Sequence, residues 1–224
     1  MKNSIYSRLA VLLAMALPAL SAQAQLTVST AANAAPAGVH YVNFDDMTYA
    51  DPTSGGIAVT FTPNSGMNIG AAPYLTNGNG ARFGDPTPSG PDQTPFVFSG
   101  SPVTLTMPGE EHYFGLLWGS VDAINSVSFY AADHTLVGRI TGGEVAPDAN
   151  GSWGADGTVY VNVGSAQAFT TVVVDSGGGI FEFDNVAYDA NVPSFAPVPE
   201  SSEAAMLVAG LAAVGWASRR RRAR

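Results

Sequence analysis

Carboxylates are the most numerous ionisable side chains in this chain, and several come in pairs. Asp45-Asp46 and Glu110-Glu111 are adjacent, while Glu182 and Asp184 lie two apart. Hydrolysis of a glycosidic bond needs two carboxyl groups on either side of the scissile linkage. Neighbours in an extended strand point to opposite faces, so only Glu182 and Asp184 could share one. The competing reading is that these acids are solvated parts of an acidic surface. His40, His112 and His134 are scattered along the sequence. There is no Gly-x-Ser-x-Gly elbow, no His-Glu-x-x-His, no Walker loop and no cysteine nucleophile. The expectation is a protein that is not an enzyme; the alternative, a secreted hydrolase, requires a clustered pair of carboxylates in a pocket.

Two binding chemistries are also encoded. Hard oxygen ligands suit Ca²⁺, and Phe44-Asp45-Asp46 and Phe183-Asp184-Asn185 stand near the two ends of the body. A jelly-roll-like sandwich would bring its first and last strands together. Asp45, Asp46 and Asp184 are therefore candidate ligands of a structural Ca²⁺, and turn capping is their alternative role. The loop 148–157 alternates oxygen-bearing residues but fails the EF-hand pattern, with Trp153 where Gly is needed and Val159 where Glu is needed; it reads as an irregular turn. Trp118, followed by Asp122 and Asn125, has the composition of a platform for a pyranose ring, as does the loop residue Trp153. Against this, Trp118 lies among Tyr113, Phe114, Leu116, Leu117, Val127 and Phe129, the company of a buried side chain.

These residues must be positioned by strands. Period-two alternation or short apolar runs predict strands at 39–44, 57–62, 96–98, 103–106, 113–118, 126–130, 136–140, 159–163, 170–174 and 181–188. Gly, Pro, Asn and Asp clusters punctuate them, and no amphipathic helix of useful length appears. The fold expected is all-β: a single β-sandwich, jelly-roll-like, over residues 25–188. Residues 63–95 are expected to form long loops over one end of it. Residues 189–197, with Pro193 and Pro197, read as an extended linker.

The two ends carry addresses. Lys2 and Arg8 precede an apolar run, and Ala22-Gln23-Ala24 gives the small-x-small pattern of signal peptidase, so residues 1–24 read as a signal peptide cleaved before Gln25. At the other end Val198-Pro199-Glu200-Ser201 precedes fourteen apolar or small residues, 204–217, and then Arg219, Arg220, Arg221 and Arg222. A helix of that length rises ~21 Å, short of a bilayer core of about 30 Å. The arginines would hold it on the cytoplasmic side, a transient inner-membrane anchor. An ordinary tail anchor is the alternative. With both ends set aside, the body keeps Arg82 and Arg139 against sixteen acids, a net charge near −14. That balance disfavours nucleic acid and anionic lipid and favours cations. No cysteine is present, so no disulfide stabilises the exported body.

The order of motif, apolar helix and arginine cluster over 198–224 resembles the PEP-CTERM sorting signal of Gram-negative bacteria, whose motif is Val-Pro-Glu-Pro; Ser201 replaces the second Pro. Within the body, Tyr113-Phe114-Gly115-Leu116-Leu117-Trp118-Gly119-Ser120-Val121-Asp122 and Phe181-Glu182-Phe183-Asp184-Asn185-Val186-Ala187-Tyr188 resemble a family of exosortase-dependent surface proteins. The resemblance implies an all-β secreted domain handled by signal peptidase and an exosortase. Its expected place is the cell surface or extracellular matrix, in association with exopolysaccharide in a biofilm. It supplies no catalytic residues. A carbohydrate-binding module is the second alternative, discriminated by exposed aromatics in a groove.

Overall fold

The computed structural model describes residues 26–195, except 31, 32, 71, 72, 77, 87 and 88. The signal-peptide residues Ala22, Ala24 and Gln25, the motif Val198-Pro199-Glu200 and the arginine cluster lie outside the described residues. Among the described residues no helix is long and apolar enough to cross a membrane.

The described residues form thirteen strands in chain order: β1 (Leu26–Ser29), β2 (His40–Val42), β3 (Thr53–Ser54), β4 (Ile57–Thr60), β5 (Ser65–Ile69), β6 (Tyr74–Leu75), β7 (Gly90–Pro91), β8 (Pro95–Ser99), β9 (Val103–Gly119), β10 (Ser126–Tyr130), β11 (Leu136–Thr141), β12 (Val159–Asp175) and β13 (Phe181–Asp189). Among the described residues two short α-helices, α1 (Asn79–Phe83) and α2 (Gly142–Val145), and one 3-10 turn at Ala155–Gly157 accompany them. The described strand pairs are all antiparallel. The all-β, sandwich-like class expected from the alternation is what the chain adopts.

The alternation predicts separate strands at 103–106 and 113–118 and at 159–163 and 170–174, with Met107-Pro108-Gly109 and Gly164-Ser165-Ala166 falling between them. Each pair is instead one 17-residue strand, β9 and β12. The turn-forming residues sit at irregularities of the β9–β12 ladder, between Gly164 and Phe169 and between Phe169 and Thr171. Proline cannot donate to a ladder and is tolerated at such bulges, where a strand bends.

Either side of the bend, β9 and β12 have different neighbours. Val103–Thr106 runs between β4 and the β12 segment that pairs β10, and β11 completes that layer. Residues 113–119 run between β13 and the β12 segment that pairs β1, while β13 also carries β2 and β8, and β8 carries β5. Two long strands thus pass from one layer into the other, the corner solution of a sandwich. Between the layers lies one core that joins Val103, Leu105, Phe129 and Val172 to Phe114, Leu116, Trp118, Phe181 and Phe183. Phe114 and Phe129 meet edge to face at 5.9 Å across it.

The second layer is buried on its other face too. Tyr113, Leu117, Tyr160 and Ala187 form a separate core with Leu75, Phe83, Ala35 and Val39. Residues 63–95 were expected over an end of the sandwich. Their β6–α1–β7 part instead covers this outer face, because Leu75 and Phe83 bring apolar surface of their own to bury. Gly119 of β9 lies so close to Pro73 that an added Cβ would be 2.8 Å from its Cα. The start of the expected linker also returns to the domain: Phe195 packs 6.0 Å from Tyr113, and Val192 lies against Gly164.

Candidate metal centre and the other site residues

Strand β13 places its carboxylates by simple alternation, then breaks the alternation at one residue. Phe181 and Phe183 enter the central core, so Glu182 and Asp184 point to the outer face beneath residues 73–94. The β13–β9 register shifts between Asp184 and Ala187, and Asn185 there has φ 48°. Asparagine tolerates this left-handed conformation better than most residues. The bulge lets Asp184 and Asn185 both serve the outer side before Val186 returns to the core.

Residues 73–94 supply the other half. Gly84, at φ 85°, ends α1 with its N–H directed to helix carbonyls, and Asp85 follows with its N–H bonded to Gly80 O at 2.8 Å. Asp92 follows β7, and its N–H bonds to Pro73 O at 3.1 Å. Asp85, Asp92 and Asp184 are 7 %, 0 % and 0 % exposed, and each offers a carboxylate oxygen within 4.8 Å of the others.

The group has more acceptors than donors. Thr94 gives its N–H to Asp92 Oδ1 at 2.9 Å, and its hydroxyl lies 2.6 Å from Asp92 Oδ1 and 3.3 Å from Asp85 Oδ1. A hydroxyl has one proton to donate. Asn185 Nδ2 donates to Asp85 Oδ2 at 3.1 Å. Among the described residues, both oxygens of Asp184, Asp92 Oδ2 and Asn185 Oδ1 are buried with no hydrogen-bond partner. Burial raises Asp184 well above the ordinary carboxylate range, and neighbouring Asp92 and Asp85 add to the effect. Burial likewise pushes Asp85 up to about 6, with Asn185 pulling against it and the charges of Asp92 and Asp45 adding to it.

Of the three residues expected to bind metal, only Asp184 belongs to this trio. Asp45 stands exposed beside it and is raised by partial burial and, against a favourable Thr94 hydroxyl, by the charges of Asp92 and Asp46. Asp46 turns elsewhere and accepts the Ser54 hydroxyl at 2.5 Å. The expected approach of the two segments is present: β2 pairs β13, and Phe44 meets Phe183 at 6.0 Å. Asp85 and Asp92 were not singled out in the sequence, since they fall in an irregular Pro- and Gly-rich stretch with no recognisable ligand spacing.

The sugar platform expected at Trp118 is corrected by burial. Its ring is 0 % exposed and stacks on Phe181, centroids 4.3 Å apart and planes 9° from parallel. Asn125 is fully buried and fastens loops: its Oδ1 accepts the Asp122 N–H at 3.0 Å and its Nδ2 donates to Ser176 O at 3.0 Å. Asp122 sits at the same turn. Trp153 is 60 % exposed, on a loop tied by Ser152 Oγ to Asp156 Oδ1 at 2.8 Å.

Glu182 shares a face with Asp184, as the two-residue spacing requires, but accepts a hydrogen bond from Ser120 instead. Burial pushes it up to about 7, a range useful for proton transfer. Glu182 and Ser120 are nevertheless only 5 % and 3 % exposed, and Pro73 closes over the neighbouring Gly119. The histidines are apart: His40 stacks on Tyr188, His112 Nδ1 lies 2.9 Å from Ser165 O, and His134 occupies a turn. Comparison with known proteins gives no match to any family model, curated protein or solved structure.

Proposed function

We propose that this chain is an exported, non-catalytic protein of the cell surface or extracellular matrix of a Gram-negative bacterium, sorted by an exosortase and associated with exopolysaccharide. The observation that carries the non-catalytic part is what the candidate side chains are bonded to. Trp118 is stacked in the core, Asn125 ties Asp122 to Ser176, Asp46 holds Ser54, and Glu182 is closed in with Ser120. Side chains engaged in this way stabilise a scaffold and leave little for a substrate. The export part rests on the sequence at both ends: the Ala22-Gln23-Ala24 cleavage pattern, and the Val198-Pro199-Glu200 motif with its helix and Arg219 to Arg222.

Intact-mass measurement on protein recovered from the surface of a host that has an exosortase tests this reading. The expected product begins at Gln25 and lacks the segment from about Val198 onward. A surface product that retains residues 204–224 would favour a permanent tail anchor instead.

A second reading, weak carbohydrate binding, is favoured by the exposed indole of Trp153. Retention on the host's exopolysaccharide that disappears in Trp153→Ala would support it. Retention unchanged in that variant would remove Trp153 from consideration.

A further inference from the structure

We propose that Asp85, Asp92, Asp184 and Asn185 form a Ca²⁺ site that fastens residues 73–94 onto strand β13. Ionised carboxylates brought within 4.8 Å of one another and shut away from water repel one another, and each ion loses its hydration, a penalty of several kcal/mol per ion unless it is offset. Here the offset offered by the described residues is incomplete, since four buried oxygens of the group have no donor among them. One of the four is the amide oxygen of Asn185, whose Nδ2 holds Asp85, so the amide is fixed at the group by its other end. The buried amide oxygen of Asn185 and the unpaired carboxylate oxygens are all acceptors, and a cation is the partner that satisfies them together.

The chemistry of the set selects the ion. All the ligands are hard oxygens, without the His or Cys that zinc prefers. Ligands facing each other across Ca²⁺ lie up to about 5 Å apart, and one carboxylate oxygen from each of Asp85, Asp92 and Asp184 lies within 4.8 Å of the other two. Mg²⁺ needs a tighter octahedron and keeps several waters, which fits poorly with buried protein ligands. Three negative charges against two positive also leave little net charge in the interior. Exposed Asp45 marks the side on which the group approaches solvent.

The placement of the ligands gives the site its mechanical meaning. Asp184 and Asn185 belong to the sheet, whereas Asp85 follows α1 and Asp92 follows β7 on the covering segment. A bound ion would link the two by coordination, alongside the apolar contacts of Leu75 and Phe83.

Isothermal titration of the chelator-treated full chain with CaCl₂, with MgCl₂ in a parallel arm, tests the site. The expected result is saturable binding of about one Ca²⁺ per chain, with Mg²⁺ at least tenfold weaker. Asp184→Asn and Asp92→Asn, which keep side-chain shape, are each expected to weaken Ca²⁺ at least tenfold. Asp156→Asn, on the exposed loop, should bind as the wild type does. Far-UV circular dichroism on each variant separates lost binding from lost folding, and the wild-type stoichiometry stands without any variant. Absence of saturable Ca²⁺ binding by the wild type would overturn the proposal in favour of a proton shared between Asp92 and Asp184. Binding undiminished in both folded variants would overturn it by locating the ion elsewhere.

Discussion

The two faces of strand β13 are both buried, yet they are built from opposite materials. On one face Phe181 and Phe183 join Trp118 in aromatic packing, with Phe181 and Phe183 5.9 Å apart at 76°. On the other, Glu182, Asp184 and Asn185 lie under residues 73–94 among other acids. The first face is held by dispersion and the removal of apolar surface from water, which needs no partner of defined charge. The second leaves oxygens unpaired and needs something to bond them. Burial alone therefore says little about how a surface is stabilised; the chemistry of what is buried decides whether packing suffices.

The largest effect should come from breaking the aromatic face. Trp118→Ala removes a fully buried ring stacked on Phe181 and is expected to cost about 3–5 kcal/mol in denaturant unfolding. A near-wild-type midpoint for this variant would contradict the core assignment. Next comes the seam between the faces and their cover. Gly119→Ala would set a methyl against Pro73 and is expected to cost roughly 1–3 kcal/mol by overpacking. Because it displaces the covering segment, it should also weaken Ca²⁺ binding, which titration reads separately.

A finer comparison isolates the bulge. Asn185→Gly and Asn185→Ala remove the same amide, but only alanine places a Cβ at φ 48°. The alanine variant should be the less stable of the two by about 1 kcal/mol; equal stabilities would mean that the backbone relaxes away from the left-handed conformation. The smallest effect is expected at the exposed indole. Trp153→Ala should change stability by no more than about 0.5 kcal/mol, measured by the same denaturation.

The aromatic face could be read from the sequence and much of the polar one could not. Alternation at 181–188 and 113–118 identifies the strands, and the apolar neighbours of Trp118 already argue for a buried ring. The same alternation ordinarily means one face inside and one in water. Nothing local in Glu182 or Asp184 reports that a segment far earlier in the chain will cover them. The approach of Phe44-Asp45-Asp46 to Phe183-Asp184-Asn185 was legible from strand order. Asp85 and Asp92 were not, because their positions depend on the Gly84 helix end and on the two-residue β6–β7 ladder, features too short to give a periodic signal. The bends of β9 and β12 were misread for a related reason: a bulge inside a long strand and a turn between two short ones use the same residues.

Thermal melting of the full chain and of Asp184→Asn, each with Ca²⁺ and with chelator, tests most directly whether the polar face of β13 is completed by a cation. At a free Ca²⁺ concentration one hundred times the dissociation constant, linkage supplies about 2.7 kcal/mol, so the wild-type midpoint should rise by about 5–10 °C. The variant's amide N–H can donate to the unpaired carboxylate oxygens, and the variant no longer completes the site; it should melt above the wild type in chelator and respond little to Ca²⁺. Wild-type curves that superimpose with and without Ca²⁺, with Asp184→Asn below them in both conditions, would contradict the account.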